Sequence, residues 1–145
     1  MSINASLDIR LYSKGNYVIS SAQIIQAFIN SGWNIQQKEK ILYLPFGDHD
    51  DYDWQEKILS KDAFFELIEK KEEANEVIGV GLFWDDTGIG GTLLLLSNES
   101  ISFSITINRK ILLNNITDVN WYLERIFPCL ETDALGIEHF TFSQV

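Results

Sequence analysis

Gly47-Asp48-His49-Asp50-Asp51-Tyr52-Asp53-Trp54-Gln55 places four aspartates, a histidine and two aromatic side chains within nine residues. Three chemistries could use such a set. A calcium loop begins Asp-x-Asp, as Asp48-x-Asp50 does. The fit ends there. Tyr52 stands at loop position five, Asp53 at position six where glycine makes the sharp turn, and Leu59 at position twelve where a bidentate glutamate belongs. General acid–base catalysis needs carboxyl or imidazole groups tuned by burial, and crowded aspartates on a polar loop read as solvated. Protein recognition suits the set better. Tyr52 and Trp54 are the amphipathic type enriched at binding hot spots, and aspartates around them can pair with Lys and Arg of a partner and speed its approach. The opposing structural reading packs Trp54 into the core and has the aspartates merely cap the next turn. Asp85-Asp86-Thr87-Gly88, directly after Trp84, is a second acidic turn.

Other reactive residue types lack a setting for chemistry. His139 lies on the last expected strand beside Phe140. Cys129 follows Pro128 near a helix end with no His/Asn pattern and reads as a core thiol. One cysteine cannot close an internal disulfide. Gly88-Ile89-Gly90-Gly91 joins two strand-like runs without the strand–loop–helix context of a phosphate cradle, and reads as a turn. No nucleophile elbow, Walker loop or C-x-x-C is present. The expectation is a non-enzyme with no cofactor and no metal.

Charge narrows the partner. The 145 residues carry a formal net charge of −10. Residues 48–86 hold thirteen acids and four lysines, so −9 of the total sits in that stretch. A localised field of one sign speeds encounter with partners of the other. It disfavours nucleic acid and anionic lipid. The N-terminus has no basic and apolar leader pattern, and the longest apolar runs fall far short of the ~20 residues of a membrane span. A cytoplasmic chain without membrane contact is expected.

The elements that would position these residues follow from periodicity. Ile3–Tyr12 alternates as a first strand. Ser20 or Ser21 can cap a helix over Ala22–Ser31, ended by Gly32. Trp33–Gln36 and Ile41–Leu44 read as a hairpin, and Pro45-Phe46-Gly47 opens the acidic loop. Ser60 starts a helix through Ala74, with Phe64, Leu67 and Ile68 inward and Glu66, Glu69, Lys70, Glu72 and Glu73 on the wet side. Glu76–Trp84, Gly91–Leu96 and Ser100–Ile107 are three strand-like runs. Thr117 or Asp118 caps a third helix that Pro128 ends or kinks, and Gly136–Val145 is the closing strand. The order β-α-ββ-α-βββ-α-β predicts one α+β domain over residues 1–145, with a mainly antiparallel, optionally mixed, sheet packed by about three helices. In that frame Trp33, Trp84 and Trp121 are expected in the core.

A single domain of this length, one cysteine, net acidity and an acidic aromatic loop Asp48–Trp54 after Leu44-Pro45-Phe46-Gly47 resemble the small acidic immunity proteins of bacterial toxin–immunity systems, including contact-dependent and polymorphic toxins. The resemblance implies a cytoplasmic inhibitor that binds and neutralises a cognate toxin with a basic surface, such as a nuclease domain. The residues expected to make the contact are Asp48, Asp50, Asp51, Tyr52, Asp53 and Trp54, with Asp85 and Asp86 secondary. The alternative is an acidic interaction module with no toxin role; a small metal-dependent enzyme ranks last.

Overall fold

The computed structural model describes residues 3–15, 18–48, 50–97 and 99–145. In chain order the elements are β1 (Ala5–Ser13), α1 (Ser21–Asn30), β2 (Trp33–Asn34), β3 (Gln36–Gln37), β4 (Lys40–Tyr43), β5 (Gln55–Ile58), α2 (Lys61–Glu73), β6 (Ile78–Trp84), β7 (Gly90–Ser97), β8 (Ser100–Ile107), β9 (Ile111–Leu113), β10 (Ile116–Thr117), α3 (Val119–Leu130) and β11 (Leu135–Gln144). The class is α+β. Nine strands form one sheet with the path β11-β1-β8-β7-β6-β4-β3, while β2 joins β6 and β5 joins β4; β9 and β10 form a separate two-stranded sheet. Every described strand pair is antiparallel, so the option of a mixed sheet falls away. No described helix is long and apolar enough to cross a membrane.

Alternation builds the sheet. Ile101, Phe103 and Ile105 of β8 are buried while Ser102 and Ser104 point to the other face, and Ala5, Leu7, Ile9 and Leu11 do the same on β1. The helices cover the apolar face, with α1 touching both α2 and α3. Ser20 closes a capping box with Gln23 at the start of α1. At its end Gly32 takes φ +119, and a Cβ there would lie 2.8 Å from Trp84. Ser60 and Asp118 cap α2 and α3. Around Trp33 the core is aromatic: its ring meets Trp84 at 5.2 Å and Phe103 at 5.5 Å, edge to face, and its indole N–H donates to the Arg125 carbonyl at 2.9 Å. Trp33 is fully buried, whereas Trp84 and Trp121 are only half-buried and hold the Arg125 guanidinium, 4.1 Å from the Trp121 ring centre.

Four local differences have physical causes. The expected hairpin is split. Gln36–Gln37 pairs with Lys40–Ile41 around Lys38 and Glu39, both at positive φ, while Trp33–Asn34 leaves to pair with Trp84–Phe83 of β6. α3 runs two residues past Pro128, because a proline in a last turn removes a single donor. β7 starts at Gly90, one residue before the expected strand Gly91–Leu96, so the expected turn is shorter. A Cβ on Gly90 or Gly91 would lie 2.1 Å from a carbonyl oxygen, of Leu82 and Ser104 respectively. The short strands β5, β9 and β10 lie where no strand was expected.

β6 is buried on both faces, from Ile78 to Phe83. Helices cover one side. On the other, Gly79 and Gly81 leave room for Trp54, Leu44 and Leu42, which bring the acidic loop against the sheet.

Candidate functional site

The acidic loop hangs between β4 and β5, two strands paired from Tyr43↔Gln55 to Lys40↔Ile58. Its entry turns on Gly47, at φ +89. Asp48 is 7% exposed and faces inward. Its Oδ1 accepts from the N–H of Asp51 at 2.8 Å and of Tyr52 at 3.1 Å, and its Oδ2 from the N–H of Asp53 at 2.8 Å. One carboxylate thus gathers three successive amides, a local competitor to regular structure typical of aspartate. The arrangement holds Asp50 at φ +67 and Tyr52 at φ +53, a region costly for an aromatic residue and stable only where its surroundings enforce it.

Beneath the loop lies a buried cation. Phe64, Ile68 and Lys71 share the inward stripe of α2, and Lys71 is fully buried. Its ammonium donates to the Pro45 carbonyl at 2.7 Å and sits 3.3 Å from Glu76 Oε1, a carboxylate that is itself 4% exposed. Glu76 in turn accepts the Gly47 N–H, at 2.9 Å on Oε1 and 3.1 Å on Oε2. Two residues that lead into the loop are therefore anchored from α2 and the segment after it. Desolvation raises the Asp48 pKa, but the backbone donors of Asp53, Asp51 and Tyr52, with the nearby Lys71 charge, outweigh it and leave the carboxyl below its ordinary value.

Asp48 is therefore a correction to the expected contact set. Its oxygens are committed to the loop's own backbone and offer nothing to a partner. Trp54 is half-buried, with its ring over Gly79, and acts as the loop's apolar foot; it is not part of the core cluster into which the structural reading placed it. Asp50, Asp51 and Asp53 are exposed, as is Tyr52 at 42%. Asp53 also accepts from the Gln55 amide at 3.1 Å. His49 lies outside the described residues. The exposed Asp85 and Asp86 do not join this group. Their turn follows the far end of β6, whereas Trp54 meets the near end at Gly79, some ~20 Å away along the strand at ~3.3 Å per residue. Sequence reading missed Lys71 and Glu76. The signal was present in the spacing of Phe64, Ile68 and Lys71, at i, i+4 and i+7, which places the lysine on the apolar stripe.

The other reactive side chains fall outside the site. Cys129 is buried, its thiol pushed up by burial and donating to the Arg125 carbonyl at 3.4 Å. His139 is exposed on β11, opposite Arg10 of β1. Among the described residues, no three His, Cys, Asp or Glu side chains gather as a metal site would require.

The lowered Asp48 pKa sets a pH expectation. A carboxyl depressed in the folded state stabilises the fold above its unfolded value, and that contribution disappears as pH falls through the lower folded value. Amide protection at Asp51, Tyr52 and Asp53 should hold at mildly acidic pH and fall away below the ordinary value of 3.8 while β8 amides stay protected. Hydrogen exchange followed by NMR reads both; loop amides that stay protected while Asp48 titrates would refute its role. Once protonated, the carboxyl is a poorer acceptor for three donors at once.

Chemically, the site is a loop that presents three carboxylates and one tyrosine to solvent. No protein-family model matches the chain, and neither a curated protein nor a solved structure does.

Proposed function

We propose that this chain is an immunity-type inhibitor that binds and neutralises a toxin domain with a basic surface, in the cytoplasm and one loop per toxin. The observation that carries the proposal is the exposed set Asp50, Asp51, Tyr52 and Asp53 on a loop braced from below by Asp48, Lys71 and Glu76. The carboxylates steer a cationic groove toward the loop, and the tyrosine supplies rigid amphipathic contact area. A loop already ordered before contact loses less conformational entropy on binding. Inhibition is then occlusion, in which carboxylates occupy the ground where an anionic substrate would lie. Asp85 and Asp86 form a separate patch and are not needed for this contact.

The test uses the toxin domain encoded beside this chain, followed by stopped-flow association across a salt series. Asp50→Lys with Asp51→Lys should slow association about tenfold or more at low salt and flatten its salt dependence, since steering of this kind contributes between ~10- and ~1,000-fold. An unchanged rate and slope would remove the acidic loop from the interface. Failure of any such toxin domain to bind the parent chain would remove the inhibitor reading itself.

A further inference from the structure

Strands β1 and β8 diverge at one end of the sheet. Their ladder runs from Arg10↔Ser100 to Ser6↔Ser104 and stops there. Before Ser6 the chain follows β11, where Asn4 and Val145 exchange both backbone hydrogen bonds at 2.9 Å. Beyond Ser104, β8 stays with β7 as far as Ile107↔Gly90. The divergence leaves a cleft of about 690 Å³, within the ~300–1,000 Å³ range of small-molecule sites. Ala5 and Ile105, each 4% exposed, close it toward the core. Strand alternation sets Asn4, Ser6, Ser104 and Thr106 on the face away from the core, and all four line the cleft. Arg109 completes the wall. Its Nη1 donates to the Asn115 carbonyl and to the Thr117 hydroxyl, both at 2.8 Å, so the head is held in place. Its Nε and Nη2 have no acceptor among the described residues. Arg125 Nε is the one buried side-chain nitrogen or oxygen without a partner there, so the spare donors of Arg109 are open to solvent. No acidic side chain lines the cleft, and residues 100–117 hold Arg109 and Lys110 and no Asp or Glu, in a chain of net −10.

We propose that this cleft binds the phosphoryl group of a small phosphate monoester. The donor set selects that ligand. A guanidinium with two nitrogens to spare is a planar fork suited to an oxyanion, and a head already held by two acceptors gives up little freedom on binding. Three hydroxyls and the Asn4 amide add donors beside it. Together they exceed the about four acceptor positions of a carboxylate. A phosphoryl group brings three strong acceptor oxygens and a charge of about −1.5 to −2, and it finds no carboxylate in the cleft to repel it. The cleft is also larger than the anion alone. With the phosphoryl group at the Asn4 and Thr106 end, the ester's organic part lies along Ser6 and Ser104, ~6.6 Å away at ~3.3 Å per residue. The site is independent of the inhibitor reading. On the sheet path β8 and β4, which carries the acidic loop, are three strand spacings apart, or ~14 Å at ~4.8 Å each.

Titration of the isotope-labelled full chain with methyl phosphate at fixed ionic strength, followed by NMR, tests it. Amide shifts should saturate with a dissociation constant of about 1 mM, the scale for so few atoms, and should centre on residues 4–6, 104–106 and Arg109. Acetate should bind about tenfold or more weakly than methyl phosphate. Arg109→Gln should weaken methyl phosphate binding about tenfold or more. Because Arg109 also ties Asn115 and Thr117, a second variant avoids those bonds. Thr106→Val, at an exposed position and nearly the same volume, should weaken binding about threefold or more, the scale of one hydrogen bond. Ser102→Ala, on the same face of β8 but outside the cleft, should leave binding unchanged. Shifts that never saturate, or that are as large at the distant Lys57 and Lys61, overturn the proposal. Acetate binding as tightly as methyl phosphate overturns the phosphoryl assignment and makes the cleft a carboxylate site. Saturable binding that survives both Arg109→Gln and Thr106→Val overturns it as well, since the ligand then sits elsewhere.

Discussion

Lys71→Met is expected to lower folding stability by about 3–5 kcal/mol, the range for removing one partner of a buried ion pair. Methionine keeps most of the stem volume and the packing of the α2 stripe, so the loss isolates the charge. Two groups are stranded by it. Glu76, at 4% exposure, becomes a buried carboxylate with no cation, and the Pro45 carbonyl loses its ammonium donor. Against a total stability of roughly 5–15 kcal/mol for a domain, the effect is plain in a urea titration. The partner substitution makes the argument sharper. Lys71→Met with Glu76→Leu should regain most of the loss, because an apolar pair of similar volume can replace a buried ion pair at little cost. The Gly47 N–H, on an exposed residue, then turns to water. A single variant within about 0.5 kcal/mol of the parent, the scale of a neutral surface change, would show that the pair is not structural. A double variant no better than the single one would place the cost in packing instead. Hydrogen exchange at Asp51, Tyr52 and Asp53 separates loop from fold: the single variant should expose those amides more than it exposes β8.

Trp33→Ala is expected to cost a further-reaching loss of about 3–5 kcal/mol, typical of a large aromatic truncated in a packed core. At about 2–4 °C per kcal/mol for a chain of this size, the melting temperature should drop by roughly 6–20 °C. The ring is fully buried between α1, β6 and β8, through Phe28, Trp84 and Phe103. Its N–H donates to the Arg125 carbonyl at 2.9 Å, so truncation also removes that bond and leaves the carbonyl the longer one from the Cys129 thiol at 3.4 Å. Trp33→Phe should lose far less, since it keeps an aromatic body and gives up the hydrogen bond and one ring. Thermal melts of the two variants side by side check this, and a melting temperature for Trp33→Ala within ~3 °C of the parent would contradict the packing described.

Much of the frame was legible because pattern and burial agree. Ile101, Phe103 and Ile105 alternate with small hydroxyl residues, and β8 lies there between Ser100 and Ile107 as expected. Ser20, Ser60 and Asp118 are caps by type and caps in fact. Legibility fails where residue type and residue place disagree. Asp48 is charged and reads as a surface contact, and Lys71 is given no inward role, yet both point inward, one to three amides, the other to a carbonyl and a carboxylate. Gln55–Ile58 lacks apolar alternation and becomes β5 because β4 supplies an edge to pair with. Gly90 reads as part of a turn by composition, but with Gly91 it marks where β7 runs tight against the carbonyls of Leu82 and Ser104. The outward residues of the acidic loop were identifiable from type alone; which of them brace it was not.

The turning of amides onto Asp48 has a further effect on what the loop can discriminate. The N–H groups of Asp51, Tyr52 and Asp53 are consumed by that carboxylate, and the Trp54 N–H by the Tyr52 carbonyl at 3.1 Å. Four consecutive donors are withdrawn from the surface. Among the exposed described residues from Asp50 to Asp53, what faces outward is three carboxylates, with the tyrosine hydroxyl as the side-chain group able to donate. Such a surface has a hydrogen-bonding parity as well as a charge. Its carboxylates accept from guanidinium and ammonium groups, and they offer no donor to carbonyl, carboxylate or phosphate oxygens. Selectivity of this kind persists when salt has screened the field, because it resides in the direction of the bonds.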